Sequence, residues 1–210
     1  MISTKSKIVL VWLVALLLCG LIALASYFFF SRLQESSVRP AGTFKKVPDF
    51  EFTERTGKPF NSKELKGKIW VADFIFTRCP GQCLSMSRHF AQLQKILPKR
   101  DDVVLVSFSI DSNYDTPQIL SNYADGYEAE ANRWFFLTGD QEKIHQLVIS
   151  GFLLPIAKTP EERVALEGGF THSSRFVVID REGNIRSYVE GLSEDSPKDT
   201  LAAIHALLKE

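Results

Sequence analysis

The first apolar block is the longest. Residues 8 to 30 contain neither a charge nor a proline. At about 1.5 Å of rise per residue, a helix of that length spans roughly 34 Å, enough to cross the hydrocarbon core of a bilayer with some tilt. The pattern predicts an amino-terminal membrane anchor over residues 1–31. Ala23-Leu24-Ala25 resembles a small-x-small signal-peptidase site, so a cleaved leader is the competing reading. Tyr27-Phe28-Phe29-Phe30 carries the apolar run past that site, which favours an uncleaved anchor. Residues 32–47 are polar, with Pro40-Ala41-Gly42, and read as a tether. A domain over 48–210 follows.

Within the domain, short apolar runs alternate with longer amphipathic ones. Phe50-Glu51-Phe52 alternates as a strand, Arg55-Thr56-Gly57-Lys58 supplies a turn and Pro59-Phe60 returns, predicting a hairpin. Asn61 or Ser62 can cap a brief helical turn through Leu65, which Lys66-Gly67 ends. The apolar stretch Ile69 to Phe76 predicts a buried strand. Leu84, Phe90, Leu93, Ile96 and Leu97 then approximate one helical face, and Pro98 stops it. Val103 to Ser109 is a β-branched run of the kind found in central strands.

Thr116-Pro117 opens a second helix carrying Ile119, Leu120 and Tyr123, with proline at the favoured first position. Trp134 to Leu137 reads as a strand, and Thr138-Gly139-Asp140 leads into a helix with Ile144, Leu147 and Val148. Gly151 to Gly169 has no clear period and reads as a functional loop. The strands Arg175–Ile179 and Ile185–Val189 form a hairpin across Asp180 to Asn184. Leu201, Ile204, Leu207 and Leu208 mark a terminal helix. This order predicts an α/β fold: a thioredoxin-like mixed sheet with flanking helices, preceded by one transmembrane helix.

Charge narrows the function classes. The chain has 25 basic and 25 acidic residues and no basic run beyond Lys45-Lys46, so no nucleic-acid footprint is expected. Lys5 and Lys7 flank the apolar block on one side, and Arg32, Arg39, Lys45 and Lys46 lie on the other. Charge bias therefore leaves the orientation of the anchor open.

Candidate chemistry concentrates in Cys79-Pro80-Gly81-Gln82-Cys83, at the turn between the first buried strand and the first long helix. Site residues of open α/β sheets sit at such carboxyl ends of strands. If Cys83 lies in the first helical turn, the unpaired N–H groups and the helix dipole there favour its thiolate, which attacks disulfides and binds soft metals. A structural disulfide or two buried thiols is the bland alternative. Cys19 reads as an apolar thiol within the anchor, and Met86, on the apolar side of the helix, and His89, next to Phe90, are not read as ligands. His145 and His205 are expected on partly exposed helix faces, and Asp101-Asp102 as a solvated strand entry.

The domain resembles the SCO/SenC family of membrane-anchored copper proteins. The resemblance is carried by Phe76-Thr77-Arg78-Cys79-Pro80-Gly81-Gln82-Cys83, by Val106 to Asp111 with Asp115-Thr116-Pro117, by Leu137-Thr138-Gly139, and by Thr171-His172-Ser173. It implies a copper site formed by Cys79, Cys83 and His172, of which His172 lies 89 residues beyond Cys83. Two thiolates and an imidazole suit Cu(I), and the same set with a weak added ligand holds Cu(II). The implied function is delivery of copper to the binuclear copper site of cytochrome c oxidase. The partners would be that enzyme's copper-site subunit or its assembly factors. The implied setting is the inner (cytoplasmic) membrane, single-pass and monomeric, with the domain facing the periplasm or an equivalent extracytoplasmic space.

Leu84, Thr171 and Ser112 depart from the family's proline, aspartate and proline. Loss of a neighbouring carboxylate of that kind typically costs 10- to 100-fold in metal affinity. The alternative function is an extracytoplasmic thiol:disulfide oxidoreductase in which Cys79 and Cys83 form the redox pair and copper is not required. A peroxidase on the same fold has only Arg78 in its favour. His172 separates the first two readings, because a pure thiol exchanger has no need of it.

Overall fold

The computed structural model describes residues 12–13, 15–22, 24–26, 44–156 and 173–210. The chain divides into two compact units, Met1–Arg39 and Pro40–Glu210. The described residues of the first unit are helical, and their large apolar side chains, Trp12 and Leu16 among them, are exposed. The anchor expected over 1–31 falls partly outside the described residues. Among those described, no helix is long and apolar enough to cross a membrane.

The second unit is a seven-stranded mixed sheet with helices against it. Strands β1 (Glu51–Glu54) and β2 (Pro59–Asn61) form the expected hairpin, closed where Gly57 takes a φ of 81°. A 3₁₀ turn, Ser62–Leu65, follows. The Asn61 side chain accepts from the Lys63 amide, and the Glu64 carboxylate reaches back to the Asn61 amide. Then come β3 (Ile69–Ile75), α1 (Gln82–Ile96), β4 (Val103–Ser109), α2 (Pro117–Gly126) and β5 (Trp134–Thr138). Helix α3 (Gln141–Gln146), β6 (Arg175–Ile179), β7 (Ile185–Glu190) and α4 (Ser196–Leu207) complete the chain.

The sheet order is β2-β1-β5-β4-β3-β6-β7, with β3, β4 and β5 parallel and the other pairings antiparallel. Every residue of β3 and β4 is buried, which is why these two strands read as continuous apolar runs. Aromatic rings fill both faces. On one, Phe74 stacks on Phe108 and both meet Phe152. On the other, Phe90 of α1 packs against Trp134 and Phe176. Burial of each such ring contributes about 2–3 kcal/mol.

Several expectations are corrected by this packing. Helix α1 turns Cys83, Met86, Ser87, His89, Phe90, Leu93 and Gln94 inward, whereas Leu84 and Ile96 are 40% and 45% exposed. The face read from the sequence was rotated, because polar Ser87, His89 and Gln94 find buried partners and so sit on the inner side. Ser87 meets the Tyr123 hydroxyl at 2.8 Å, His89 Nδ1 meets the Gly191 carbonyl at 2.8 Å, and Gln94 donates to the Glu128 carbonyl. His145 is buried rather than partly exposed, since its Nε2 meets the Ile110 carbonyl at 2.8 Å. Leu147 and Val148 belong not to α3 but to a single π turn, Leu147–Gly151, that continues it. Asp102 is ion-paired with Arg100 and Arg181, which hold its carboxyl down at about 2, so it is not simply solvated.

Candidate functional site

The chain leaves β3 at its carboxyl end and turns sharply, with the Cys79 amide donating to the Phe76 carbonyl at 3.1 Å. Helix α1 begins two residues after Pro80. Its cap residue is Gly81, which offers no side-chain acceptor. The Cys79 sulfur supplies one instead, accepting from the Cys83 amide at 3.4 Å, in the manner of an N-cap side chain. The two cysteines are thus brought together by the helix start itself. Both are carried as thiols.

Cys79 is 8% exposed and Cys83 is fully buried. The thiolate expected at Cys83 from its place in the first helical turn is overturned. Its hydrogen bond with Cys79 and its burial push the Cys83 thiol well above its ordinary range. The same burial suits a soft metal that displaces the protons, because an apolar wall around sulfur excludes competing water.

Six further residues form a bonded network beside the cysteine turn. From the β4–α2 connection, Asp111 accepts from Arg78 Nε at 3.1 Å and Nη2 at 2.5 Å. The Arg78 guanidinium also lies over the Tyr114 ring, 4.1 Å from its centre. Asp115 accepts from the Thr77 amide, the Thr77 hydroxyl and the Ser109 hydroxyl. Burial raises the Asp115 carboxyl pKa, and these hydrogen bonds oppose the rise. Sequence reasoning used Asp111 and Asp115 only as letters of a motif. The available signal was two acids four apart, directly after a buried strand.

Asp73 was also passed over. It lies in the middle of β3, fully buried, and neither carboxylate oxygen has a hydrogen-bond donor in bonding geometry. Burial pushes it up to about 7, and the Ser107 hydroxyl, its partner across the parallel pair, draws it back only in part.

His172 lies outside the described residues. Among those described, no group of three or more His, Cys, Asp or Glu side chains could hold a metal. The residue after His172 is described: Ser173 is buried, and its hydroxyl accepts from the Arg175 amide at 3.2 Å. Strand β6 begins here and runs antiparallel to β3, with Ala72 opposite Val177 and Trp70 opposite Ile179. The start of β6 therefore lies at the end of the sheet where β3 delivers the cysteines. Leu84, which takes the place of the family's proline, is the third residue of α1 and points outward.

A family model described as SCO1/SenC matches residues 38–209. The chain belongs to the SCO1/SenC family. It is 35% identical over 157 residues to the SCO1 protein homolog of Bacillus subtilis, an alignment covering 74% of this chain and 78% of that one. Its fold matches BsSco, described as a member of the Sco family of cytochrome c oxidase assembly proteins with a disulfide switch. There the TM-score is 0.68 at 31% identity, with 81% of this chain and 96% of that one covered. It also matches ScoI of Bradyrhizobium japonicum, solved with copper bound, with a TM-score of 0.64 and 78% and 99% coverage. At 23% identity, that last likeness speaks to the fold alone. The mixed sheet with flanking helices is thus that of the Sco proteins, whose thioredoxin-like architecture accounts for a paired-thiol turn at the end of a central strand.

Proposed function

We propose that this protein is a copper metallochaperone that delivers copper to the binuclear copper site of cytochrome c oxidase, with Cys79, Cys83 and His172 as its ligands. The observation that carries the reading is the pair of sulfurs on one turn at the carboxyl end of β3, beside the strand that follows His172. In this reading copper is cargo. Each thiol gives up its proton to solvent as the metal arrives, so binding weakens as pH falls. Residues 1–31 anchor the chain in the inner (cytoplasmic) membrane as a single span, 32–47 act as tether, and the monomeric domain faces the periplasm or an equivalent extracytoplasmic space. The partner is the oxidase copper-site subunit or one of its assembly factors.

The test is copper titration of the reduced full chain. One Cu(I) per chain is expected for the wild type. Cys83→Ser should abolish tight Cu(I) binding, His172→Ala should weaken it and disturb Cu(II) more, and Cys19→Ser should do nothing. Equal binding by wild type and His172→Ala in both oxidation states would refute the three-ligand assignment.

A second reading, an extracytoplasmic thiol:disulfide oxidoreductase, draws support from the hydrogen bond between the Cys83 and Cys79 side chains, which places the two thiols side by side as a pair that cycles between dithiol and disulfide. Complementation separates the two. If His172→Ala restores oxidase activity fully while both cysteine variants fail, and oxidase copper content is normal in the deletion, the exchanger reading replaces the chaperone.

A further inference from the structure

Asp115 has no exposed surface and accepts three hydrogen bonds, all from neutral donors. Two of these come from one residue. Oδ2 takes the Thr77 amide at 3.1 Å and Oδ1 the Thr77 hydroxyl at 2.5 Å, while the Ser109 hydroxyl reaches Oδ2 at 2.6 Å. The carboxylate thus joins the last residue of β4 to the residue two before Cys79. Its neighbour Asp111 grips the next residue along, Arg78, from the same connection. The backbone of Asp115 is fixed in turn, since its amide donates to the Asp111 carbonyl and Thr116 caps α2.

A buried carboxylate without a cation is a costly way to secure a loop if stability were all that was needed. What it provides is direction. Two bonds to one acceptor, itself held by Ser109, leave Thr77 a single orientation, and Cys79 follows two residues later with its sulfur accepting from the Cys83 amide. Ligands and redox groups have to be held within about half an ångström of their working geometry.

We infer that Asp115 is a positioning residue of the thiol site, acting through Thr77 to hold Cys79 where its sulfur caps α1 beside Cys83. The inference rests on the reading of Cys79 and Cys83 as the functional pair. Asp115 touches neither sulfur in the described hydrogen bonds, so its effect is conveyed through the backbone of 77–79.

The experiment uses the full chain in detergent, with Asp115→Ala, Asp115→Asn and Thr77→Val beside the wild type. The first readout is the dithiol–disulfide equilibrium in glutathione buffers, by acid quench and thiol alkylation. As the Cys79–Cys83 bond forms, two electrons and two protons pass to glutathione disulfide, giving two molecules of glutathione. The second is Cu(I) affinity by competition with a chelator. Asp115→Ala should shift both constants by about tenfold, which for the two-electron couple is about 30 mV. Asp115→Asn should stay within about threefold, because its amide oxygen can keep the Thr77 N–H and Ser109 bonds while its NH₂ donates to the Thr77 hydroxyl. Thr77→Val, which keeps the amide bond alone, should fall between.

Asn61→Ala loses a helix cap far along the chain from the cysteines, and should lower stability without moving either constant. A folded Asp115→Ala with wild-type potential and wild-type affinity would overturn the inference. So would an Asn61→Ala shift of the same size, which would mean that general loosening is sufficient. If Asp115→Ala does not fold, an unshifted Thr77→Val overturns it equally. Copper binding by Cys83→Ser at the wild-type level would instead remove the chaperone reading, while an Asp115-dependent disulfide equilibrium would still support the positioning role.

Discussion

Replacing Asp73 with asparagine should change how stability depends on pH. The wild-type carboxyl is raised from the ordinary 3.8 to about 7, chiefly by complete burial. Below about pH 4 the group is neutral in both the folded and unfolded chain and costs nothing by this route. Between about pH 4 and 7 the unfolded chain ionises while the folded one does not, so stability falls as pH rises. Above about pH 7 the loss is complete, and at about 1.36 kcal/mol per pH unit it amounts to about 4 kcal/mol. Asparagine is close in shape and does not titrate. Its own unpartnered amide adds a pH-independent cost of about 1–3 kcal/mol, which cancels when the change between pH 4 and pH 8 is compared. The assay is urea unfolding of the reduced, metal-free fragment 40–210, followed by the fluorescence of buried Trp70 and Trp134. On going from pH 4 to pH 8 the wild type should lose about 4 kcal/mol more than Asp73→Asn. Parallel curves would refute the reasoning, meaning that Asp73 ionises in the folded domain near its ordinary value.

Two other substitutions test the packing around the site. Gly191→Ala would place a Cβ 2.5 Å from the Ser174 carbonyl oxygen and 2.9 Å from the Phe176 ring, so the backbone beside the start of β6 must move. A loss of about 1–3 kcal/mol in urea unfolding is expected, and a neutral result would show that this junction is loose. Leu84→Pro restores the family's residue and removes only the bond from the Leu84 amide to the Gly81 carbonyl in the first turn of α1. Thermal unfolding should change by less than about 1 kcal/mol, and a loss above about 3 kcal/mol would mean that this turn carries more of the helix than its bonding indicates.

Much of the framework was determined by the sequence alone, because its causes are local. Continuous apolar runs mark β3 and β4, Thr116-Pro117 and Asp140 mark helix starts through their own side chains, and Asn61 with Glu64 closes a capping box within three residues. The cysteine turn was legible for the same reason: five residues at a strand-to-helix boundary.

What the tertiary structure decided depends on contacts between distant residues. Whether Leu84 or Cys83 faces inward is set by what α1 packs against, and several of its inward positions are polar residues with partners elsewhere in the fold. His145 is buried because the Ile110 carbonyl, 35 residues away, accepts its ring. The Cys83 thiol is pushed above its ordinary range by its hydrogen bond with Cys79 and by burial, and burial has no signature in a five-residue motif. The bond between Asp115 and Thr77 spans 38 residues, and the arrival of β6 beside β3 spans about a hundred. A sequence pattern records the preferences of neighbours, whereas strand pairing and burial are properties of the assembled sheet.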